Sequence, residues 1–151
     1  MKDVISRDLI FVHQNFNTQD EIFKFLKNTL IETKRGTDAG GIIKGFYERE
    51  KEFSTYIDKG IAIPHCRCDD IKDASVVMIT NDKPVTWTQK EEQADIIISL
   101  MIPASNENQI HIKILAQVAQ LMLDDSFVSL VRNAATSEEI FRAVEKLNCQ
   151  Y

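Results

Sequence analysis

The feature that most constrains the fold is an apolar run in the second half of the chain. Residues 94–102 (ADIIISLMI) form its most continuously apolar segment, and Pro103 follows directly. A strand with one face in water alternates apolar and polar residues, whereas an almost unbroken run is typical of a strand covered on both faces. The run therefore predicts a central strand, ended by a proline that has no N–H to donate to a ladder, with other elements packed on both of its sides.

Three further runs predict strands. Residues 9–12 (LIFV), 60–63 (GIAI) and 74–80 (ASVVMIT) are short, rich in apolar or β-branched side chains, and bounded by polar residues or proline. Residues 81–84 (NDKP) have the composition of a turn, with an extended piece at 85–87. We expect residues 54–59 to form a loop, the strand at 60–63 to end at Pro64, and a polar turn to follow His65.

Apolar residues at helical spacing predict five helices, over residues 18–34, 38–52, 108–123, 125–133 and 136–147. Thr18 and Thr136 are each followed by a glutamate three residues later, which is the pattern of a capping box. Strands interleaved with helices favour one α/β domain over residues 1–151, with a mixed central sheet flanked by helices on both faces.

Composition excludes several classes of function. Of the 151 residues, 44% are hydrophobic and 27% charged, which is a globular balance. The net charge of -5 argues against non-specific binding to nucleic acid or to an anionic membrane surface. No apolar run approaches the roughly 20 residues that cross a bilayer, and the N-terminus has no apolar export signal, so we expect a cytoplasmic protein without membrane insertion.

The three cysteines are Cys66, Cys68 and Cys149. Their number is odd, and the first two are too close in sequence to form an easy bridge with each other. Reduced thiols in a reducing compartment are the simplest interpretation.

His65 is the main candidate for chemistry. It follows a short apolar strand and Pro64, a setting that gives an imidazole a rigid base and open space beside it. One interpretation is a phosphohistidine site, in which the ring attacks a phosphoryl group and later releases it. Such transfer spreads negative charge over the phosphoryl oxygens. Arg49 could donate to them with its planar fork, and His111 could do so from near a helix N-terminus.

Alternative interpretations remain open at this point. His65, Cys66 and Cys68 could bind a metal, although zinc sites usually show Cys-x₂-Cys spacing and a second ligand pair. A cysteine could act as nucleophile with His111, but no family signature for one is present. Arg49 also fits an exposed helix charge paired with a glutamate three residues on. Trp87 favours packing over ligand binding.

A family resemblance connects several of these residues. The segment 60–65 (GIAIPH), preceded by Arg49-Glu50 and Ser54-Thr55 and followed by His111 in a Leu- and Ala-rich helix, resembles the enzyme IIA domain of the bacterial sugar phosphotransferase system. The resemblance is to the fructose/mannitol superfamily of these domains and covers essentially the whole chain. The sequences at 52–55 (EFST) and 62–66 (AIPHC) are most similar to those of the galactitol-type branch.

The resemblance implies a phosphoryl carrier. His65 would accept phosphate at Nε2 from the phosphocarrier protein HPr and pass it to a cysteine of a IIB component, and through it serve the membrane IIC component. Arg49 and His111 would flank the phosphoryl group, and Thr55 would be a substrate-binding or positioning residue. No cofactor or metal is expected. A regulatory IIA-like module, in which phosphorylation of His65 controls a target protein, is the alternative.

The chain departs from the family pattern directly after Thr55. Tyr56 stands where the family commonly has glycine, and residues 56–59 (YIDK) replace a glycine-rich approach to GIAIPH. The shape of this loop and the choice of partner therefore do not follow from the resemblance.

Overall fold

A computed structural model describes residues 2–88, 91–105 and 109–149, without the side chains of Ile110, His111 and Cys149. The helices are α1 (Gln19–Glu32), α2 (Gly41–Glu52), α3 (Ile110–Met122), α4 (Asp125–Asn133) and α5 (Ser137–Val144). The strands are β1 (Ile10–Gln14), β2 (Tyr56–Asp58), β3 (Ile61–Ala62), β4 (His65–Cys68), β5 (Ser75–Thr86) and β6 (Gln93–Pro103). Short 3₁₀ turns cover Arg7–Leu9 and Glu145–Cys149.

The six strands form one mixed sheet. Its order is β1, β5, β6, β3, β2, and β4 pairs with β6 beyond the end of β3. β1 runs parallel to β5, β5 antiparallel to β6, and both β3 and β4 parallel to β6. β3 and β4 are thus two pieces of one interrupted strand along the same side of β6.

The predicted central strand is confirmed in β6, whose side chains alternate between two cores. Ile96, Ile98 and Leu100 pack in the core on the side of α3, α4 and α5. Ile97 and Met101 pack in the core on the side of α1 and α2. The expected fold class, a mixed sheet flanked by helices on both faces, is confirmed.

The helix predictions hold closely where capping signals are strong. Thr18 Oγ1 accepts from the Glu21 N–H at 3.1 Å, and Thr136 Oγ1 accepts from the Glu139 N–H at 3.3 Å. The last helix stops earlier than expected, at Val144, and the chain continues as a 3₁₀ turn to Cys149.

Two strand predictions around the site were wrong. The strand before Pro64 does end, at Ala62, but the polar turn expected after His65 is instead β4, because pairing with β6 resumes after Pro64: the Leu100 N–H donates to the Pro64 carbonyl at 3.1 Å. The proline removes one donor without ending the alignment of the two chains. The expected loop at 54–59 contains β2, which pairs antiparallel with β3.

The expected turn at residues 81–84 was also wrong, since these residues lie inside β5. The register of β5 against β6 shifts between Thr80 and Val85, so the segment bulges instead of reversing. Asn81 holds the bulge, because its side-chain amide donates to the carbonyls of Phe16 and Lys83 at 2.9 and 2.8 Å. Pro84, which has no N–H, lies within this irregular stretch.

In the described part of the chain, no single helix is long and apolar enough to cross a membrane. Residues 112–122 and 125–133 meet that test of length and composition only when taken together, and the two helices bend by 88° where they join.

Candidate functional site

His65 lies at the point where the interrupted strand resumes, and its ring is held by two hydrogen bonds. Nδ1 lies 2.8 Å from the Ile63 carbonyl oxygen. A carbonyl only accepts, so Nδ1 carries the proton and donates it. Nε2 lies 2.9 Å from Nε of Arg49, which donates to it. The two contacts together select one tautomer, a neutral ring whose Nε2 lone pair accepts from Arg49 Nε.

Arg49 reaches this ring from the last turn of α2. Besides Nε, its Nη1 donates to the carbonyl of Phe53 at 2.8 Å, just past the end of the helix. The Arg49 guanidinium therefore connects the C-terminus of α2 to His65. The surface interpretation of Arg49, in which it pairs with a glutamate three residues on, finds no such pair among the described contacts.

The surroundings keep His65 uncharged. Burial of the ring lowers its pKa below the ordinary value of 6.5, and the positive charge of Arg49 lowers it further. The hydrogen bond to Ile63, which acts more strongly than Arg49, and the charges of Glu50 and Glu52 raise the pKa, but burial is the largest cause and the net shift is downward. At neutral pH the ring is therefore a neutral base with a lone pair on Nε2, which is the form that can act as a nucleophile.

A shallow depression of about 260 Å³ opens beside the ring. Glu48, Arg49 and Glu52 of α2 line one side, and Leu100 and Leu115 contribute apolar surface. A larger cavity of about 340 Å³ lies elsewhere, between the end of α3 and the C-terminal 3₁₀ turn, and contains Gln117 and Lys146. We regard the smaller depression as the site because it contains the histidine.

Thr55 is buried, with 3% of its surface exposed. Its N–H donates to Glu50 Oε2 at 3.2 Å, and its hydroxyl donates to Glu50 Oε1. Trp87 Nε1 donates to Thr55 Oγ1 at 3.0 Å and to Glu50 Oε1 at 3.2 Å. The Thr55 carbonyl accepts from the Ile63 N–H at 2.9 Å, and Ile63 holds the His65 ring.

This network contains residues that sequence reasoning missed. Glu50 was noted only as part of the Arg49-Glu50 pair, and Trp87 only as a packing residue. Trp87 does pack, with its ring at 88° to the ring of Phe23. Its N–H also donates to Thr55 and Glu50. No spacing signal could have found the Ile63 carbonyl, because it is a backbone group whose role depends on the break at Pro64.

His111 belongs to the first turn of α3, but its side chain lies outside the described residues. The expected contact of His111 with the phosphoryl group therefore stays a prediction. The chain before α3 is attached to β4, since Arg67 donates to the Ala104 carbonyl from Nε and Nη2 at 3.2 and 2.9 Å. Arg67 also lines the depression.

The segment that departs from the family pattern is held by an ion pair. Arg132 of α4 donates to both carboxylate oxygens of Asp95 at 2.9 and 2.7 Å and to the Lys59 carbonyl. Gly60 has a φ of +79°, and a Cβ there would come within 2.6 Å of Asp95 Oδ1. The glycine and the arginine together fix the turn between β2 and β3, which leads into the strand before His65.

The alternative chemistries find little support in this geometry. Among the described residues, no group of three or more His, Cys, Asp or Glu side chains is placed to hold a metal ion. Cys66 and Cys68 point to the face of β4 that packs on α2, whereas His65 and Arg67 occupy the alternate positions of the strand. A thiol paired with His111 remains untested, because that side chain is not described.

Comparison with known proteins gives one family match. The family model described as "Phosphoenolpyruvate-dependent sugar phosphotransferase system, EIIA 2" matches residues 3–147. A "Multiphosphoryl transfer protein" of Shigella flexneri is 25% identical over 145 residues, which is 96% of this chain and 17% of the relative. The chain therefore spans about a sixth of the length of such relatives.

Solved structures show the same fold. The nitrogen regulatory protein IIA-Ntr of Neisseria meningitidis superposes with a TM-score of 0.80 at 22% identity, covering 91% of this chain and 93% of that one. The enzyme IIA of the mannitol system of Escherichia coli, solved in complex with phosphorylated IIB, gives a TM-score of 0.77 at 19% identity, with 97% and 98% covered.

Proposed function

This chain belongs to the EIIA 2 family of the phosphoenolpyruvate-dependent sugar phosphotransferase system, and on that premise we propose that His65 is its phosphoryl-accepting residue. The observation that carries the proposal is the pair of hydrogen bonds on the ring, to Ile63 at Nδ1 and to Arg49 at Nε2. Together they present a neutral imidazole with Nε2 as the nucleophilic atom.

The chemistry follows from this arrangement. Nε2 attacks the phosphorus of a phosphorylated donor, the bond from phosphorus to the donor breaks, and the ring becomes positively charged. The Nδ1–H to Ile63 hydrogen bond strengthens as that charge develops, which stabilises the product without a proton transfer. Arg49 must leave Nε2 before attack, and its fork then lies next to the incoming phosphoryl oxygens. Release reverses these steps.

We assign the partners from the family. HPr would be the donor and a cysteine of a IIB component the acceptor, which serves a membrane IIC component in turn. The shallow depression supports this assignment, because two proteins must each bring a side chain to the same nitrogen. His111 would approach the phosphoryl group from the first turn of α3. Thr55 would act as a positioning residue through Ile63.

The proposed substrate class rests on sequence similarity alone. The segments 52–55 and 62–66 resemble the galactitol-type branch, so we propose uptake of galactitol or a related polyol or sugar. A matched set of IIB and IIC components for different sugars, tested for phosphate transfer from the phosphorylated chain, examines this assignment directly.

A regulatory role is the second candidate. Its support is the similarity of the fold to a protein described as a nitrogen regulatory IIA-Ntr. In that case phosphorylation of His65, which adds a charge of about -1.5 to -2, would change binding to a target protein instead of supplying a IIB component.

The test is intact-mass spectrometry after incubation with enzyme I, HPr and phosphoenolpyruvate at neutral to alkaline pH. We expect one phosphate on the wild type and none on His65→Ala. His13→Ala is the matched control, because His13 is exposed on β1 and pairs with Asp82 at 2.9 Å; it should still accept one phosphate. Phosphate retained on His65→Ala would contradict the assignment.

A second step separates the two candidates. Discharge of the phosphorylated chain by a IIB component establishes a transport carrier. A stable adduct that no IIB component discharges, together with a target protein that binds only one phosphorylation state, establishes the regulatory module.

A further inference from the structure

Arg67 lines the depression beside His65, but the transfer steps described above give it no role. It stands two positions after His65 in β4, so both side chains leave the strand on the same face, with Cα atoms roughly 6.6 Å apart. Leu100 and Ile102 of β6, which pair with these two residues, also line the depression. The long side chain of Arg67 is therefore within reach of a group carried by the His65 ring.

The guanidinium of Arg67 is held along one edge. Nε and Nη2 donate to the Ala104 carbonyl at 3.2 and 2.9 Å, and the Ala104 N–H donates to the Cys68 carbonyl at 3.1 Å. An arginine has five N–H groups, and these contacts use only one each from Nε and Nη2. The opposite edge, formed by Nη1 and the second N–H of Nη2, has no partner among the described contacts. Such an edge can donate to two oxygens of one phosphate.

The charges around the depression call for a second cation. Its charged lining residues are Glu48, Arg49, Glu52 and Arg67, and Arg67 forms no ion pair within the described part of the chain. A phosphoryl group on the histidine adds a charge of about -1.5 to -2. With Arg49 alone, that charge would face two carboxylates and one positive charge. Arg67 supplies the second positive charge on the side of the depression formed by β4.

We propose that Arg67 is a second phosphoryl-binding residue, an inference that rests on the phosphorylation of His65 proposed above. The contact with Ala104 fixes the plane of the guanidinium, so the unpartnered edge is oriented before the phosphoryl group arrives. Arg49 then donates to the phosphoryl oxygens from α2, and Arg67 donates to them from β4.

The two arginines have different roles. The charges that shift the pKa of the unphosphorylated ring are those of Arg49, Glu50 and Glu52, and Arg67 is not among them. Arg49 contacts the imidazole itself. A phosphoryl group extends beyond Nε2 by the N–P and P–O bonds, and Arg67 meets this group and not the ring.

A phosphorus NMR titration of the phosphorylated protein tests the contact, because it gives the pKa of the phosphoryl group. Arg67→Gln should raise that pKa, since a nearby positive charge that favours the fully ionised phosphate is removed. Arg67→Lys should keep it near the wild-type value, since the charge stays. Arg142→Gln is the control, because Arg142 is exposed on α5 and pairs with Glu138, and it should leave the phosphoryl pKa unchanged.

The rate of phosphate acceptance is the second readout. It should fall about 10-fold in Arg67→Gln, the effect of losing one hydrogen bond to a charged group. Arg67→Lys should recover only part of the rate, because an ammonium cannot contact Ala104 and the phosphoryl oxygens in one plane. An equal phosphoryl pKa in wild type and Arg67→Gln would overturn the proposal, and so would an equal rise in Arg142→Gln. If Arg67→Gln does not fold, Arg67→Met replaces it.

A chemical donor keeps this test separate from the proposed carrier function. Phosphoramidate phosphorylates imidazoles directly, with release of ammonia, and the phosphorus signal of His65 is the one that is missing in His65→Ala. If phospho-HPr does not phosphorylate the wild type, the carrier function is wrong. The titration of the chemically phosphorylated protein then still decides whether Arg67 binds the phosphoryl group.

Discussion

Arg49 connects His65 to the C-terminus of α2, so its replacement tests what this connection contributes to phosphoryl transfer. In Arg49→Ala the donor to Nε2 and to the Phe53 carbonyl is lost, so stabilisation of the phosphoryl oxygens is lost with it. We expect the rate of phosphate acceptance to fall roughly 10²-fold, the effect of removing one donor from a transition state. Arg49→Lys should recover only part of this rate, because an ammonium cannot make both contacts in a fixed plane.

The measurement for Arg49 has two parts. Rapid-quench phosphorylation gives the rate, and an NMR titration gives the pKa of His65, which should rise in Arg49→Ala because a nearby positive charge is removed. Arg142→Ala is the control, since Arg142 is exposed on α5 and pairs only with Glu138 among the described residues. An unchanged rate in Arg49→Ala would return Arg49 to the role of a surface charge.

Thr55 should act through its neighbours and not on the substrate. Thr55→Val preserves the shape of the side chain but leaves Trp87 Nε1 and Glu50 Oε1 each without one partner. Trp87 Nε1 and Glu50 Oε1 stay bonded to each other at 3.2 Å, so we expect the free energy of unfolding to fall by about 1 to 3 kcal/mol, the net contribution of the hydrogen bonds lost, one of them to a carboxylate. The rate of phosphate acceptance should fall less than in Arg49→Ala. Urea denaturation and the same kinetic assay measure both, and a rate loss without a stability loss would indicate direct contact with substrate.

At the scale of elements, α2 and β4 approach closely because α2 contains glycine where they meet. A Cβ at Gly45 would lie 3.0 Å from Cys66 Cβ, a side-chain atom whose position is fixed by the strand backbone, so it cannot rotate away. Arg49 lies one turn further along α2. Moving α2 away from β4 would therefore increase the distance between the Arg49 guanidinium and His65 Nε2. The contact between Arg49 and His65 therefore requires the close approach of α2 and β4.

Gly45→Ala tests this approach. Alanine favours the helix by about 1 kcal/mol over glycine. Overpacking against β4 should cost about 1 to 3 kcal/mol, so we expect a net loss of unfolding free energy together with slower phosphorylation. Lys44→Ala is the matched control on the same helix, since its side chain is exposed and its contact with Glu48 is a 3.9 Å surface pair. A more stable Gly45→Ala protein with unchanged kinetics would contradict the role of the close approach.

The elements also show what sequence could predict and why the rest escaped it. The unbroken apolar run of β6 predicted the centre of the sheet, and the capping residues Thr18 and Thr136 predicted two helix starts, because these signals are local. β4 was missed because its strand character comes from pairing with β6 across the Pro64 break. The bulge at 81–84 was missed because its turn-like residues bond to Phe16, a distant part of the chain. In the same way, the sequence proposed His65 and Arg49 as site residues, and the structure brings them within 2.9 Å of each other, but it did not indicate the partners that orient them.

At the scale of the whole molecule, the site connects pH to stability. The folded protein holds the pKa of His65 below 6.5, mainly by burial and then by Arg49, with Glu50, Glu52 and the Ile63 carbonyl opposing. In the unfolded chain the ring titrates near 6.5. As pH falls below that value, the unfolded state takes up a proton that the folded state does not, so the free energy of unfolding decreases.

The loss should continue until pH passes the lowered pKa of the folded ring and then stop. Urea denaturation between pH 7 and pH 5 measures it, with wild type compared to His65→Gln. The glutamine variant should show a flatter dependence on pH, because it has no ring to titrate. If His65→Gln and wild type have the same slope, burial does not hold the ring neutral. The nucleophilic form of His65 would then need another cause, such as the docked partner excluding water from the site.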